Sequence, residues 1–319
     1  MLRTPPLWRR SLFRAMHNGV VRVGNPREAE REAQAATSWR HRDARHSGVT
    51  TYEQVWERDG ISVALVIGDY PAAGWTAPFE IGTYGIGLQR VGAFRRRVDG
   101  VEQIVDPNTA FFRRAGDATS VAHFTDRPDK LTVIDVDPDS GTDALAEITE
   151  ATGPFSVSPA IDLAHQLLLS DLRAPVVDDA QIQARALELL AAGLEQRHSR
   201  FSAHSRRTSA AQRRRLVSDV CEELHRSPSI TLVELARAVN YSPFHLSRTF
   251  REATGLTISA YRVRLRVHDV LNHLDQGVED LAALAAATGF ADHSHMTRTV
   301  VAQYGEAPSI LRKRLRGLT

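Results

Sequence analysis

Cysteine is almost absent from this chain of 319 residues: Cys221 is the only one. That excludes an intramolecular disulfide and any zinc cage built from several cysteines, and it fits a reducing cytoplasm. Lysine is nearly as scarce, with Lys130 and Lys313 the only two, so almost all positive charge is arginine. No apolar run approaches the roughly 18 residues of a membrane span, so no membrane partner is expected. The first residues, MLRTPPLWRRSLFRAMHNG, are cut by Arg9, Arg10 and Arg14. A secretory signal needs an unbroken apolar stretch, so none is expected there. There is no GxGxxG after a strand, no GxxxxGK[ST], no GxSxG and no HExxH. These absences remove the common nucleotide-binding loops, the hydrolase elbow and the zinc-protease helix. The expectation is a protein without enzymatic activity and without a cofactor.

What is present is uneven. Residues 196–319 hold 19 basic and 11 acidic side chains, a net of +8, whereas residues 1–195 hold 21 and 27, a net of −6. A basic, arginine-rich C-terminal third can fork onto phosphate or guanine, and points to a nucleic-acid-binding module joined to something else.

Four parts follow along the chain. Residues 1–48 carry few sustained apolar patterns and read as a weakly ordered extension, with REAEREAQAATSWRHRDARH either a polar helix or loose; Met16 offers an alternative start. Residues 49–198 contain short β-branched and aromatic runs, ISVALVIGDY, YGIGLQRVGAF, TAFFRRAG and KLTVIDVD, punctuated by Asp59-Gly60, Asp99-Gly100 and Asp106-Pro107-Asn108. That rhythm predicts an antiparallel sheet sandwich or small barrel, with DGVEQIVDPNTAFFRRAGD as hairpin strands joined by tight turns. Gly82, Gly85 and Gly87 are read as bulges or turns. Two helices trail the strands, one with Ile161, Ala164, Leu167 and Leu168 on one face, the next with Ile182, Ala186, Leu189 and Leu190; Pro175 separates them. They either pack on the sheet or pair with a second subunit. Residues 199–208 read as a polar linker, and 209–319 as all helical.

The helical third repeats itself. Leu232, Leu235, Ala236 and Tyr241 precede Leu281, Leu284, Ala285 and Phe290 by 49 residues. Leu246, Arg248, Phe250 and Gly255 precede Met296, Arg298, Val300 and Gly305 by 50. Each copy reads helix, tight turn, helix. Ala236 and Ala285 are small where helices approach. Asn240 and Gly289 tolerate positive φ, and Tyr241 and Phe290 fill the corner. Ser242 and Asp292 are N-cap candidates, with Pro243 at a first helical position. Between the copies, Val263, Val267, Val270, Leu271 and Leu274 form one face of a connecting helix.

The segments LARAVNYSPFHLSRTFREATG and LAALAAATGFADHSHMTRTVVAQYGEAPS resemble the two helix-turn-helix units of the DNA-binding domain of AraC/XylS-type transcription regulators. The likeness covers about a third of the chain, from near 210 onward. Met296 and Val300 stand where that family usually has Phe, and Leu311 where it often has Tyr; all three keep apolar character. The resemblance implies two recognition helices entering successive major grooves of double-stranded DNA, ~34 Å apart, on DNA that bends if the connecting helix is rigid. The strand region more loosely resembles the cupin-like sensor of the same family. The implied fold is α+β in two domains: a cupin-like antiparallel β-domain with trailing helices, then two helix-turn-helix units joined by a long helix.

On the first recognition helix, Phe244, His245, Ser247, Arg248 and Arg251 point away from Leu246 and Phe250; on the second, His293, Ser294, Thr297 and Arg298 take the equivalent places. Arg248 suits a bidentate guanine contact, or a phosphate. Arg264, Arg266 and the RKRLR run at 312–316 are expected on phosphates or in solvent. His293 and His295 lie about 200° apart on a helix and do not share a metal readily. Asp292 is better explained as a cap. In the β-domain, Phe79, Tyr84, Phe94, Phe111 and Phe112, with Arg113 or Arg114 as an anion partner, are candidates for a small organic effector, or simply for core. An enzymatic cupin needs several His and carboxylate ligands on neighbouring strands, and only His123 lies in the strand stretch. Cys221, with His225 one turn on, is read as buried rather than reactive. Two readings stay open: a cytoplasmic, effector-controlled, homodimeric regulator that meets RNA polymerase, and a constitutive DNA-binding protein whose β-domain only dimerises.

Overall fold

The computed structural model describes residues 38–43, 48–69, 74–124, 128–137, 146–174, 176, 178–200 and 207–317. Expectations for residues 1–37, for Pro175 and for 201–206 of the linker lie outside the described residues.

The N-terminal part is built from β1 (Ser38–Asp43), β2 (Gly48–Arg58), β3 (Ile61–Asp69), β4 (Phe79–Glu80), β5 (Tyr84–Val91), β6 (Phe94–Val98), β7 (Val101–Val105), β8 (Thr109–Arg113), β9 (Ala118–His123), β10 (Asp129–Val136) and β11 (Pro154–Ser156). They form two antiparallel sheets, one of seven strands in the order β1-β2-β3-β10-β5-β8-β11 and one of four in the order β4-β9-β6-β7. The large sheet is covered on both faces, which is why its central strands are apolar on alternate and intervening positions alike. Leu131 and Val133 of β10 meet Phe94 and Val105 of the small sheet. Ile134 and Val136 of the same strand face the opposite way, into a core with Phe112 and Phe155.

Asp59-Gly60 and Asp99-Gly100 both take positive φ at both residues, the geometry of a tight hairpin turn. Several expectations need correction. Ser38–Asp43 falls inside the stretch read as a helix or loose extension, yet it pairs with β2 from Ser38↔Glu53 to Asp43↔Gly48. The pattern around β7 and β8 is not one hairpin: β7 lies in the small sheet and β8 in the large one, joined only by the Asp106↔Thr109 bridge. Gly85 and Gly87 mark close approach within β5 rather than turns. A Cβ on Gly87 would meet the Phe111 ring at 2.4 Å, and one on Gly85 would meet the Ile134 carbonyl oxygen at 2.0 Å.

Helices follow: α1 (Ala146–Thr149), α2 (Pro159–Asp171), α3 (Asp179–Arg200), α4 (Arg207–Arg226), α5 (Leu232–Ala238), α6 (Pro243–Thr254), α7 (Ile258–Asp275), α8 (Leu281–Ala287), α9 (His293–Tyr304) and α10 (Pro308–Leu315). Ser158 caps α2 by accepting from the Ile161 amide. Helix α3 lays Ile182, Ala186, Leu189 and Leu190 on the large sheet. Helix α2 divides its apolar face: Ile161, Ala164 and Leu168 join that sheet core, while Leu167 joins the core of the second helix-turn-helix unit. Among the described residues no helix is long and apolar enough to cross a membrane.

Helices α4 to α10 form the C-terminal domain around two cores. Leu216, Val220, Cys221, Leu224, Leu235, Leu246, Phe250 and Tyr261 make the first. Val267, Val270, Leu271, Leu274, Leu284, Phe290, Met296, Val300, Leu311 and Leu315 make the second. Helix α7 contributes to both, so it spaces the two units. The molecule is thus two-domain α+β, antiparallel sheets followed by a helical domain.

Candidate DNA interface

The two units are built by the same local chemistry. Thr231 and Glu234 close a capping box at the start of α5, and Asp280 accepts from the Ala282 and Ala283 amides at the start of α8. At the bends, Asn240 has φ +59° and Gly289 +75°. The chain then turns back so that the Tyr241 amide donates to the Ala236 carbonyl at 2.8 Å and the Phe290 amide to the Ala285 carbonyl at 2.9 Å. Ser242 and Asp292 cap α6 and α9 by accepting from the His245 and His295 amides. Gly255 and Gly305 end those helices at φ +76° and +77°. The corner residues differ: Phe290 is buried, whereas Tyr241 is exposed and stacks on His245, ring centroids 5.2 Å apart.

The residues between cap and terminator fall on a free face. Leu246 and Phe250 of α6, and Met296 and Val300 of α9, are fully buried. Phe244, His245, Arg248 and Arg251, then His293, Ser294 and Arg298, are exposed, with Ser247 and Thr297 half-buried. Phe244 stands out at 79% exposure, an aromatic ring that contributes little to its own core. His293 Nε2 lies 3.2 Å from Thr297 Oγ1, while His295 sits edge-on to Phe290. Each histidine of that pair thus has its own neighbour within the unit. Arg248 Nε donates to Glu252 Oε1 at 2.8 Å. Glu252 was not a candidate above, although its four-residue spacing from Arg248 is readable on a helix.

Three basic residues expected on phosphates or in solvent are engaged elsewhere. Arg264 turns inward and donates to the Val157 carbonyl at 3.4 Å; burial, the largest influence, lowers its pKa. Arg312 donates to the Val278 and Glu279 carbonyls, and Arg314 pairs with Glu306. Arg266 is half-buried, its Nε 3.4 Å from where a Cβ on Gly289 would stand, so it covers the second bend.

Polar residues of α7 that flank its apolar stripe are docked on the N-terminal domain. Tyr261 donates its hydroxyl to Asp106, whose Oδ2 also lies 3.1 Å from His225 Nε2. Asn272 donates to the Arg90 carbonyl at 3.0 Å, and Arg173 pairs with Asp275. His268 has Asp162 Oδ1 at 2.8 Å from one ring nitrogen and the Arg90 carbonyl at 2.7 Å from the other. Both partners only accept, so the ring donates twice and is an imidazolium. Burial alone would lower its pKa, but the Asp162 carboxylate overcomes burial and lifts it to about 9. Tyr304, the last residue of α9, donates to the same Asp162. Arg95 adds a further link, to Glu222 at 2.5 Å and Asp219 at 2.7 Å on α4.

A model of a helix-turn-helix domain matches residues 235–314, which span both bends and both exposed helices. An uncharacterized HTH-type transcriptional regulator of Bacillus subtilis (strain 168), YbfI, is 29% identical over 216 residues, 67% of this chain and 78% of its own length. Residues 235–314 are thus similar to a helix-turn-helix domain, and two thirds of the chain is similar to a transcription regulator. Regulatory protein ada of Salmonella typhimurium is 37% identical to this chain over 90 residues, 28% of this chain and 25% of its own length. ToxT from Vibrio cholerae aligns over 80% of this chain and 98% of its own, with a TM-score of 0.34 and 10% identity.

The residues expected to line an effector site are scattered by the fold. Phe94 and Phe111 meet edge to face between the sheets, centroids 6.5 Å apart. Tyr84 and Phe112 belong instead to the core beneath the helices, and Phe79 is exposed on a two-residue edge strand. Arg113 is paired with Asp135 at 2.9 Å, and Arg114 with Asp117. Missed above was Arg96, 2% exposed between the sheets, its guanidinium 4.4 Å from the centre of the Phe111 ring. Its hydrogen bonds, to the Phe112 carbonyl and Thr119 Oγ1, are both long at 3.4 Å. Burial first, then Arg113, lowers it to about 10. Its cross-strand neighbour Gln103 is also buried, and its amide nitrogen has no hydrogen-bond partner. Alternation hides such a residue in the run FRRRV, where one of three arginines turns inward.

Proposed function

We propose that the chain is a transcription regulator of the AraC type that binds double-stranded DNA sequence-specifically by placing α6 and α9 in successive major grooves. The observation that carries this reading is the pair of equivalently capped, outward-facing helices on one spacer helix. Arg248 and Arg298 are the principal base readers. Phe244, His245, Ser247, Arg251, His293, Ser294, Thr297 and Arg266 complete the contact surface. Selection of bound duplexes from a random pool tests it. Two half-sites about one helical turn apart are expected. Arg248→Ala should relax base preference at one position of the first, and Arg298→Ala should weaken the second. A single half-site, or selected sequences unaffected by both changes, overturns the assignment.

We further infer that residues 49–198 act as a sensor, that 199–208 link it to the DNA-binding domain 209–319, and that control is by a small organic effector rather than by catalysis. Support comes from Arg96 and Gln103: buried donors short of acceptors suit a ligand rich in acceptors, and a carboxylate pairs best with a guanidinium. Thermal unfolding of the full chain against a panel of small organic acids and neutral metabolites tests this. No shift with any of them favours a constitutive regulator whose β-domain serves dimerisation. A cytoplasmic homodimer that contacts RNA polymerase at its operator completes the reading.

A further inference from the structure

The two recognition helices are alike in their side-chain N-caps, their glycine ends and the burial of their inner residues, but they differ in one charged contact. On α6, Arg248 is tied to Glu252 one turn on, through its Nε at 2.8 Å. On α9, the residue fifty positions beyond Glu252 is Ala302, exposed and unable to accept a bond. The sequence of α9, HSHMTRTVVAQY, contains no carboxylate at all. Among the described residues Arg298 therefore has no acidic partner on its own helix.

A carboxylate on a helix that faces DNA is unfavourable toward phosphate, so its presence on α6 asks for a role. Helix stability is a weak candidate, because exposed pairs at this spacing contribute little. Both side chains are exposed, at 68% and 49%. The chemistry of the guanidinium supplies a better account. Arginine has five N–H donors in a rigid plane. A carboxylate that takes the Nε edge leaves the Nη groups as a free fork. Guanine O6 and N7 accept such a fork together. Holding the near edge also limits the rotamers that Arg248 must give up on binding. The pair is ionised at neutral pH: the hydrogen bond from Arg248 holds the Glu252 carboxyl below its usual range.

We propose that Glu252 is a positioning residue that aims Arg248 at a base edge, and that its absence from α9 makes the first half-site the more stringently read of the two. This rests on the reading of Arg248 as a base contact. The consequence is an unequal operator, in which substitutions at the guanine opposite Arg248 are penalised more than those opposite Arg298.

The test uses the full-length protein, the operator obtained by selection, and the set of duplexes carrying each single base-pair change. Arg248→Ala first locates its base pair as the position where discrimination collapses. Glu252→Ala should then lower discrimination at that same position by about 3- to 10-fold, a fraction of what a bidentate contact provides, while affinity for random duplex rises slightly as a negative charge is removed. Glu252→Gln, which keeps an acceptor without charge, should fall between. Ala302→Glu should raise discrimination at one position of the second half-site. Unfolding midpoints should stay at the wild-type value for all three. If Arg248→Ala flattens a position and Glu252→Ala leaves its discrimination within about twofold of wild type, the positioning role is wrong and the base-reading role of Arg248 stands. If Arg248→Ala flattens no position, both fail. A uniform loss across all sequences with Glu252→Ala, or no gain with Ala302→Glu, also overturns the proposal.

Discussion

Replacing Asp162 with Asn keeps the shape of a buried side chain and removes its charge, which isolates what that charge does between the two domains. Asp162 is 6% exposed and His268 2%. The carboxylate accepts from His268 of α7 and from Tyr304 of α9. The rise of the His268 pKa from the usual 6.5 to about 9 corresponds to about 3 kcal/mol in favour of the charged ring. Removing one partner of a buried pair costs about 3–5 kcal/mol in other proteins, so the two figures agree. The pH dependence has a definite sign. A group whose folded pKa is raised contributes fully below its unfolded pKa, so the stabilisation is complete below about pH 6.5 and is lost as pH rises through about 9. Denaturant unfolding of Asp162→Asn at neutral pH should show a loss of about 3 kcal/mol. Its stability should also lack the decline between pH 6.5 and 9 that wild type shows. Histidine resonances followed by NMR should place His268 near 9 in wild type and below its usual value in the variant, where burial acts alone. A loss under about 1 kcal/mol, together with the same pH slope in both proteins, would refute the argument.

Two further outcomes follow from particular contacts. Gly87→Ala drives a methyl into the Phe111 ring, where a Cβ has only 2.4 Å; Arg96 and Phe94 border that ring and leave it little room to move. Overpacking of this kind costs about 1–3 kcal/mol, so an unchanged unfolding midpoint would contradict the two-sheet packing described. Arg264→Ala should leave the salt dependence of DNA binding untouched, because its guanidinium faces Val157 rather than DNA, whereas Arg251→Ala should reduce the slope of log K against log salt by about 1. The reverse ranking in a salt titration would place the DNA on the wrong face of α7.

The contrast between Arg251 and Arg264 also marks where sequence patterns stop being informative. The repeat located both bends, their caps and the buried Leu246, Phe250, Met296 and Val300, because local rules of capping and periodicity act within a few residues. The apolar stripe of α7 was equally visible in Val267, Val270, Leu271 and Leu274. Its other face was not. Tyr261, Arg264, His268 and Asn272 are polar, and polarity alone does not tell a face turned to water from one turned to a second domain. The same limit explains β1, where a polar run pairs by its backbone, which no side-chain pattern encodes. It also explains Arg96: the run Arg95-Arg96-Arg97 reads as surface charge until the pleat turns the middle residue inward.

The polar face of α7 constrains the geometry of the two helix-turn-helix units. Tyr261 and His268 are seven residues apart, two turns and about 10 Å along a helix, and they meet two different buried carboxylates of the N-terminal domain. Asp106, just beyond β7, takes Tyr261 and also approaches His225 of α4. Asp162, on α2, takes His268 and also Tyr304, which ends α9. Each carboxylate therefore ties the spacer helix and one neighbouring element of one unit to the same point. Helix α7 is held at both points, and its apolar residues are committed to the cores of the two units, so it is not free to roll. A change in the distance between Asp106 and Asp162 must then either break one of these buried bonds, leaving an unpaired carboxylate out of water, or move one helix-turn-helix unit relative to the other.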